Sequence, residues 1–141
     1  MRIAVIDGQG GGIGKSIVER IKCAGFFNVT VLALGTNAVA TGQMMKGGAD
    51  EGATGENAII YNLDYVDVIV GVVGILAANS MLGELTPAMA TAIGNSKAHK
   101  ILLPLNRCGI QVIGVVDSNL NTYIDDMIMA IKEKIREEGN D

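Results

Sequence analysis

Five of the chain's nineteen glycines fall inside one ten-residue stretch, Asp7-Gly8-Gln9-Gly10-Gly11-Gly12-Ile13-Gly14-Lys15-Ser16. Before it stands the apolar run 3–6, which reads as a short strand buried on both faces. After it Ile13, Ile17, Val18 and Ile21 recur at helical spacing, with Glu19, Arg20 and Lys22 between them and Gly25 placed to end the helix. A buried strand, a glycine turn and an amphipathic helix in that order begin a parallel α/β sheet, because a parallel neighbour needs a helical crossover. That order constrains the fold more than any other feature of the chain.

The rest of the sequence repeats the alternation. Residues 29–34 form a second apolar run, closed by Gly35, Thr36 and Asn37, and 38–46 is a helix of small residues and methionines stopped by Gly47 and Gly48. Residues 47–55 hold four glycines with Asp50, Glu51 and Thr54 and read as a loop, a lid or binding loop, with one or two helical turns over 56–62. A third strand begins at 68–70 and leaves irregularly past Gly71, Gly74, Asn79 and Ser80. Thr86 and Pro87 suit a helix start, cap followed by first helical position, and that helix runs to about Gly94. Runs 101–105 and 112–116 give two further strands, ending near Asn106 and Asp117. The last helix lines up Ile124, Met127, Ile128, Ile131 and Ile135. The expectation is α/β: a single doubly wound domain over residues 1–141 with a mostly parallel five-stranded sheet.

Composition narrows the function. With 141 residues, 18% charged and 49% hydrophobic, the chain is long enough for one well-buried core and too apolar for disorder. Eleven basic against fifteen acidic residues, without a basic cluster before the last helix, leave no nucleic-acid footprint. The longest uncharged apolar stretch, 68–83, is too short and too interrupted for a membrane span. Cys23 and Cys108 lie far apart, and the one histidine is His99, so neither a zinc pattern nor a disulfide framework is present. A cytoplasmic protein with no metal site is expected.

The glycine loop carries the chemistry. Glycine turns expose backbone N–H groups, and a helix N-terminus adds partial positive charge, so a phosphate-bearing small molecule is the natural guest. Close packing alone needs one or two glycines, not five. Gly8-x-x-x-Gly12-Ile13-Gly14 resembles the cofactor loop of short-chain dehydrogenases, with Asp7 where that family has threonine. The chain lacks that family's Tyr-x-x-x-Lys pair, and Gly35, Thr36 and Asn37 offer no acid for a ribose hydroxyl. Gly11-Gly12-Ile13-Gly14-Lys15-Ser16 is similar to the deviant P-loop of the nitrogenase iron protein and the partition ATPases, although Gly10 replaces its signature lysine. On that thread Lys15 and Ser16 contact a terminal phosphate and Mg²⁺, and Asp117 is the metal-holding acid. The Asp-x-Gly-x-Gly loop of methyltransferases breaks at Gln9.

Across nearly its whole length the chain resembles a small uncharacterised bacterial family of Rossmann-like proteins. Residues 6–16, 33–38 and 78–84 carry the likeness, which implies a fold and no activity. The leading expectation is a nucleotide- or dinucleotide-binding protein, NAD(P) or ATP with Mg²⁺ being the natural cofactors. Its site comprises Asp7, Gly8, Gln9, Gly10, Gly11, Gly12, Ile13, Gly14, Lys15, Ser16, Gly35, Thr36, Asn37, Asn79 and Asn106. The alternatives are a P-loop-like NTPase using Lys15 and Ser16, and a non-catalytic structural or regulatory subunit. Asp7, Thr36, Asn37, Asn79, Ser80, Asn106 and Asp117 should all lie past strand C-termini, where such sheets bind ligands. His99 precedes a strand and so stands at the wrong end; Cys108 stands at the right one. Sparse surface charge, the small-residue helix 38–45 and the apolar exit 72–82 together predict a homo-oligomer, most simply a dimer, with Met45 or Leu82 at its contact.

Overall fold

The computed structural model describes residues 1–105 and 108–139. The strands are β1 (Arg2–Asp7), β2 (Thr30–Gly35), β3 (Glu51–Thr54), β4 (Val68–Val72) and β5 (His99–Leu103), and the helices α1 (Gly12–Cys23), α2 (Ala38–Lys46), α3 (Glu56–Asn62), α4 (Pro87–Asn95) and α5 (Leu120–Gly139). Short 3₁₀ turns cover Leu63–Tyr65 and Val73–Leu76. The strands form one five-stranded sheet in the order β3-β2-β1-β4-β5, and every pairing is parallel. This is the Rossmann strand order without its sixth strand. Helices cover both faces: α1 packs on α2 and α5, and α3 on α4.

β1 is central, and Ile3, Ala4, Val5 and Ile6 are buried on both faces, as a continuous apolar run requires. Ile17, Val18 and Ile21 of α1 and Ile124, Met127 and Ile131 of α5 complete one layer of core; Ile59, Met89 and Ile93 belong to the other. Local signals set the helix ends. Gly25 takes the left-handed conformation just past α1 (φ 65°). The Asn37 side chain accepts from Ala40 N–H at the start of α2, and Thr86 from Met89 N–H at the start of α4.

Three expectations need correction. The 47–55 segment contains β3, a real edge strand paired with β2. Its sequence, Glu-Gly-Ala-Thr, has no apolar pattern, since one side of it meets solvent. It is fastened by Asp50, whose carboxylate accepts from Val31 N–H at 2.8 Å and from Lys22 Nζ at 2.9 Å. The run 112–116 is not a strand; it lies in the non-helical connection to α5. Only eight residues separate Leu103 from Val112, too few for the crossover a parallel neighbour of β5 needs, and Gly114 turns the chain with φ 93°. The fifth strand also begins at His99, two residues before the expected 101–105.

Candidate functional site

β1 delivers Asp7 to the C-terminal end of the sheet, and residues 8–11 turn the chain directly into α1. Three of the five loop glycines are explained by the protein itself. A Cβ on Gly8 would stand 2.5 Å from Thr36 Oγ1 and 2.7 Å from Met81 Sδ. Gly11 is left-handed (φ 74°), and its Cβ would meet Ala40 Cα at 2.7 Å. On Gly14 a Cβ would lie 2.7 Å from Met44 Sδ and 2.8 Å from Asp7 Cβ, so this glycine lets α1 close on the sheet. Packing thus takes more glycines than the one or two expected. Gly10 and Gly12 differ: neither would place a Cβ within 4 Å of any atom. Their faces open outward at the N-terminus of α1.

The loop's donors divide in the same way. Asp7, 6% exposed, accepts from Gly8 N–H (2.8 Å) and Gly14 N–H (2.7 Å). Its carboxyl uses up one N-terminal donor of α1 and locks the turn. Burial pushes its carboxyl above the ordinary range, against the lowering effect of those two hydrogen bonds, and the nearby Glu84 charge pushes the same way as burial. Gly11 N–H closes onto Gly8 O at 3.0 Å. Among the described residues, no hydrogen bond takes up the backbone N–H of Gly10, Gly12 or Ile13. Three N–H groups are thus left without a partner at the turn and the first residues of α1, where the helix dipole favours negative charge.

Glu84 is the site residue that sequence reasoning missed. The 77–86 segment returns after β4 and brings its carboxylate over Gly8. Glu84 Oε1 accepts from Gln9 N–H (2.9 Å), Thr36 Oγ1 (2.8 Å) and Asn37 Nδ2 (2.7 Å). These bonds, the one from Gln9 first, hold Glu84 below the usual carboxylate range and keep it ionised. Asn37 Nδ2 also donates to Gln9 O at 3.0 Å, tying the end of β2 to the glycine turn. A carboxylate thus stands at the end of β2, brought there from 48 positions away in sequence. Glu84 belongs to the 78–84 segment noted above, but no spacing rule links it to Gly8. The segment that presents it is strained, with positive φ at Asn79, Met81, Leu82 and Gly83. Such backbone in bulky residues costs about 1–2 kcal/mol each and persists only where surroundings impose it.

The other expected residues fall in several places. Thr36 and Asn37 join the cluster. Gly35 lies against Thr41, where a Cβ has no room. Asn79 serves its own turn, its N–H bonded to Leu85 O at 2.7 Å, and Ser80 is buried, donating to Gly74 O at 2.6 Å. Asn106 lies outside the described residues. The P-loop arrangement does not assemble: α1 already starts at Gly12, which makes Lys15 its fourth residue, and Lys15 Nζ points along the helix to Glu19 at 3.9 Å. Asp117 follows no strand and is exposed in the connection to α5. Cys23 and Cys108 are free and exposed. His99 opens β5 at the far end of the sheet, beside a shallow 690 Å³ depression shared with Lys97, Lys100 and Lys134. Among the described residues there is no cluster of three metal-ligating side chains, and no helix is long and apolar enough to cross a membrane.

A family model described as "Domain of unknown function (DUF3842)" matches residues 2–136. No protein of curated function matches the chain. Among solved structures, the chain is similar to a dodecameric FMN-dependent UbiX-like decarboxylase from Escherichia coli O157:H7. The identity is 10% and the TM-score 0.45, over 96% of this chain and 94% of that one.

Proposed function

The chain belongs to that family of unassigned function, and we propose that it is a nucleotide- or dinucleotide-binding protein that seats a phosphate group on the open side of the glycine turn. The observation that carries this reading is the division of the glycines. Gly8, Gly11 and Gly14 answer to packing and turn geometry, whereas among the described residues nothing lies against Gly10 or Gly12, and the three N–H groups beside them have no partner. A phosphate oxygen is the partner those donors lack. Among the described residues no lysine or arginine side chain pairs with the turn, so the reading puts recognition on the backbone dipole and does not include Mg²⁺-dependent phosphoryl transfer through Lys15.

Glu84 sets the orientation. Its Oε1 is fully used, and its second carboxylate oxygen is left to accept from a hydroxyl-bearing group such as a ribose. An ionised carboxylate beside that sugar also repels a 2′-phosphate, which favours NAD or an adenine nucleotide over NADP. The proposed protein acts in the cytoplasm as one domain and as a homo-oligomer, most simply a dimer.

A thermal-shift panel of NAD, NADP, ADP, ATP and FMN tests the reading. At least one nucleotide without a 2′-phosphate should raise the wild-type melting temperature. Gly12→Asp, which places a charge in open space, should fold normally and lose the shift. A panel without any response refutes the proposal, as does a full response by Gly12→Asp.

A further inference from the structure

Asn37 joins three separate pieces of the chain through one side chain. Its Oδ1 accepts from Ala40 N–H at 2.9 Å and caps α2. Its Nδ2 donates to Gln9 O in the glycine turn at 3.0 Å and to Glu84 Oε1 in the 77–86 segment at 2.7 Å. An amide carries two N–H donors, and both are spent inside the protein. Asn37 therefore has no donor to offer a ligand, and what it does for the site it does through Glu84.

The amide is aimed by the helix. The group is planar, so seating Oδ1 on the first turn of α2 also fixes where Nδ2 points. Glu84 Oε1 then lies among three donors, the Gln9 N–H (2.9 Å), the Thr36 hydroxyl (2.8 Å) and the Asn37 amide. With Oε1 pinned by all three the carboxylate cannot turn, and its Oε2, which no hydrogen bond reaches among the described residues, keeps one direction. The 77–86 segment does not supply that direction by itself. Its positive φ at Asn79, Met81, Leu82 and Gly83 is backbone that holds only against outside contacts.

We propose that Asn37 is the positioning residue of the site: capping α2 aims its amide at Glu84, and the oriented Glu84 Oε2 makes the protein prefer a ribonucleotide to the same nucleotide without its 2′-hydroxyl. The proposal rests on the nucleotide reading above. It requires an amide at position 37 and not merely a helix cap. Serine and aspartate cap a helix as well as asparagine does, so substitution by either keeps α2 and alters the clamp. Serine has no amide to hold Glu84. Aspartate keeps the shape but turns an acceptor oxygen toward Glu84 Oε1, where 2.7 Å now separates donor from acceptor, and two carboxylates that close repel.

Calorimetric titration of wild type, Asn37→Ser and Asn37→Asp with ADP, 2′-deoxy-ADP and inorganic pyrophosphate tests this, with the Gln9 amide resonance of each ligand-free protein recorded alongside. Wild type should hold ADP about tenfold tighter than 2′-deoxy-ADP, the scale of one hydrogen bond to a charged group. In Asn37→Ser that ratio should fall below about twofold, while pyrophosphate, which has no sugar, binds as before. In Asn37→Asp the Gln9 amide, bonded to Glu84 at 2.9 Å, should move upfield as the carboxylate leaves. A wild type that binds the two nucleotides equally overturns the proposal, as does a ratio kept by Asn37→Ser or a Gln9 resonance unmoved in Asn37→Asp. Pyrophosphate affinity lost in step with ADP in Asn37→Ser makes Asn37 a purely structural residue and overturns it too. A wild type that binds no nucleotide brings down the nucleotide reading and the sugar preference with it, and the Gln9 resonance still decides separately whether Asn37 orients Glu84.

Discussion

Replacing Gly14 and Gly12 one at a time by alanine separates packing from ligand access in the glycine turn. At Gly14 the new methyl lies 2.7 Å from Met44 Sδ, 2.8 Å from Asp7 Cβ and 2.9 Å from Asp7 Oδ2. The Met44 thioether can swing aside. Asp7 cannot, because β1 is the central strand and its carboxylate is held by two N–H groups. Overpacking of this kind costs about 1–3 kcal/mol, and weakening a charged hydrogen bond adds about 1.5 kcal/mol. The helical preference of alanine over glycine returns about 1 kcal/mol, so Gly14→Ala should destabilise by about 2 kcal/mol. For a chain of this size that lowers the melting temperature by roughly 6 °C. Gly12→Ala meets no atom within 4 Å and should leave stability unchanged or raise it by about 0.5 kcal/mol. Its methyl, however, would stand in the path of the phosphate proposed for the turn, so nucleotide affinity should fall while the fold is untouched. Urea and thermal denaturation of the three proteins read the first effect, and titration with nucleotide the second. Equal stabilities for the two variants would refute the division of the glycines. So would a loss at Gly12→Ala as large as at Gly14→Ala.

Glu84 is held ionised by hydrogen bonds, so its contribution to stability is complete above the ordinary carboxylate range and is lost as pH falls through its lowered pKa; Glu84→Gln should flatten that part of the acid-side stability curve measured in urea. Asp7 has the opposite sign: its pKa is raised by burial, so its contribution declines as pH rises from the ordinary carboxylate range through the raised pKa and is constant only above that. Glu84→Gln should also narrow any preference for NAD over NADP, read by calorimetry. Lys15→Ala should bind nucleotide as the wild type does, because Lys15 pairs with Glu19 away from the turn; a loss of binding would revive the P-loop alternative. Asp50→Ala removes the bonds that fasten β3 to Val31 and Lys22 and should cost about 1–2 kcal/mol in chemical denaturation.

The elements legible in the sequence were those whose pattern arises from their own burial or caps. β1 and β2 show as unbroken apolar runs, α4 by the Thr86 cap and Pro87, and α2 by its small residues and methionines and the Gly47-Gly48 stop after it. β3 was illegible because an edge strand needs only backbone pairing, and nothing in Glu-Gly-Ala-Thr announces a partner. The opposite error at 112–116 has a matching cause: a run of β-branched residues looks the same whether or not a strand stands beside it, and here the run lies largely exposed in the connection to α5. In the site, the glycine turn and the Thr36-Asn37 exit were read from chain order alone, because parallel topology sends both to one edge. Glu84 was not, since its place depends on how the 77–86 segment folds back after β4.

The central claim is that the N–H groups of Gly10, Gly12 and Ile13 receive a phosphate. Its most direct test is a titration of ¹⁵N-labelled protein followed by amide resonances, with ADP and NAD added to saturation and inorganic phosphate as a control. The account predicts shifts concentrated at Gly10, Gly12 and Ile13, with Gly14, already bonded to Asp7, moving little, and smaller changes at Thr36 and Asn37 as the sugar meets Glu84. Amides of the glycine turn that stay in place at millimolar nucleotide, or shifts gathered instead around His99 and Lys100 at the far end of the sheet, would contradict it.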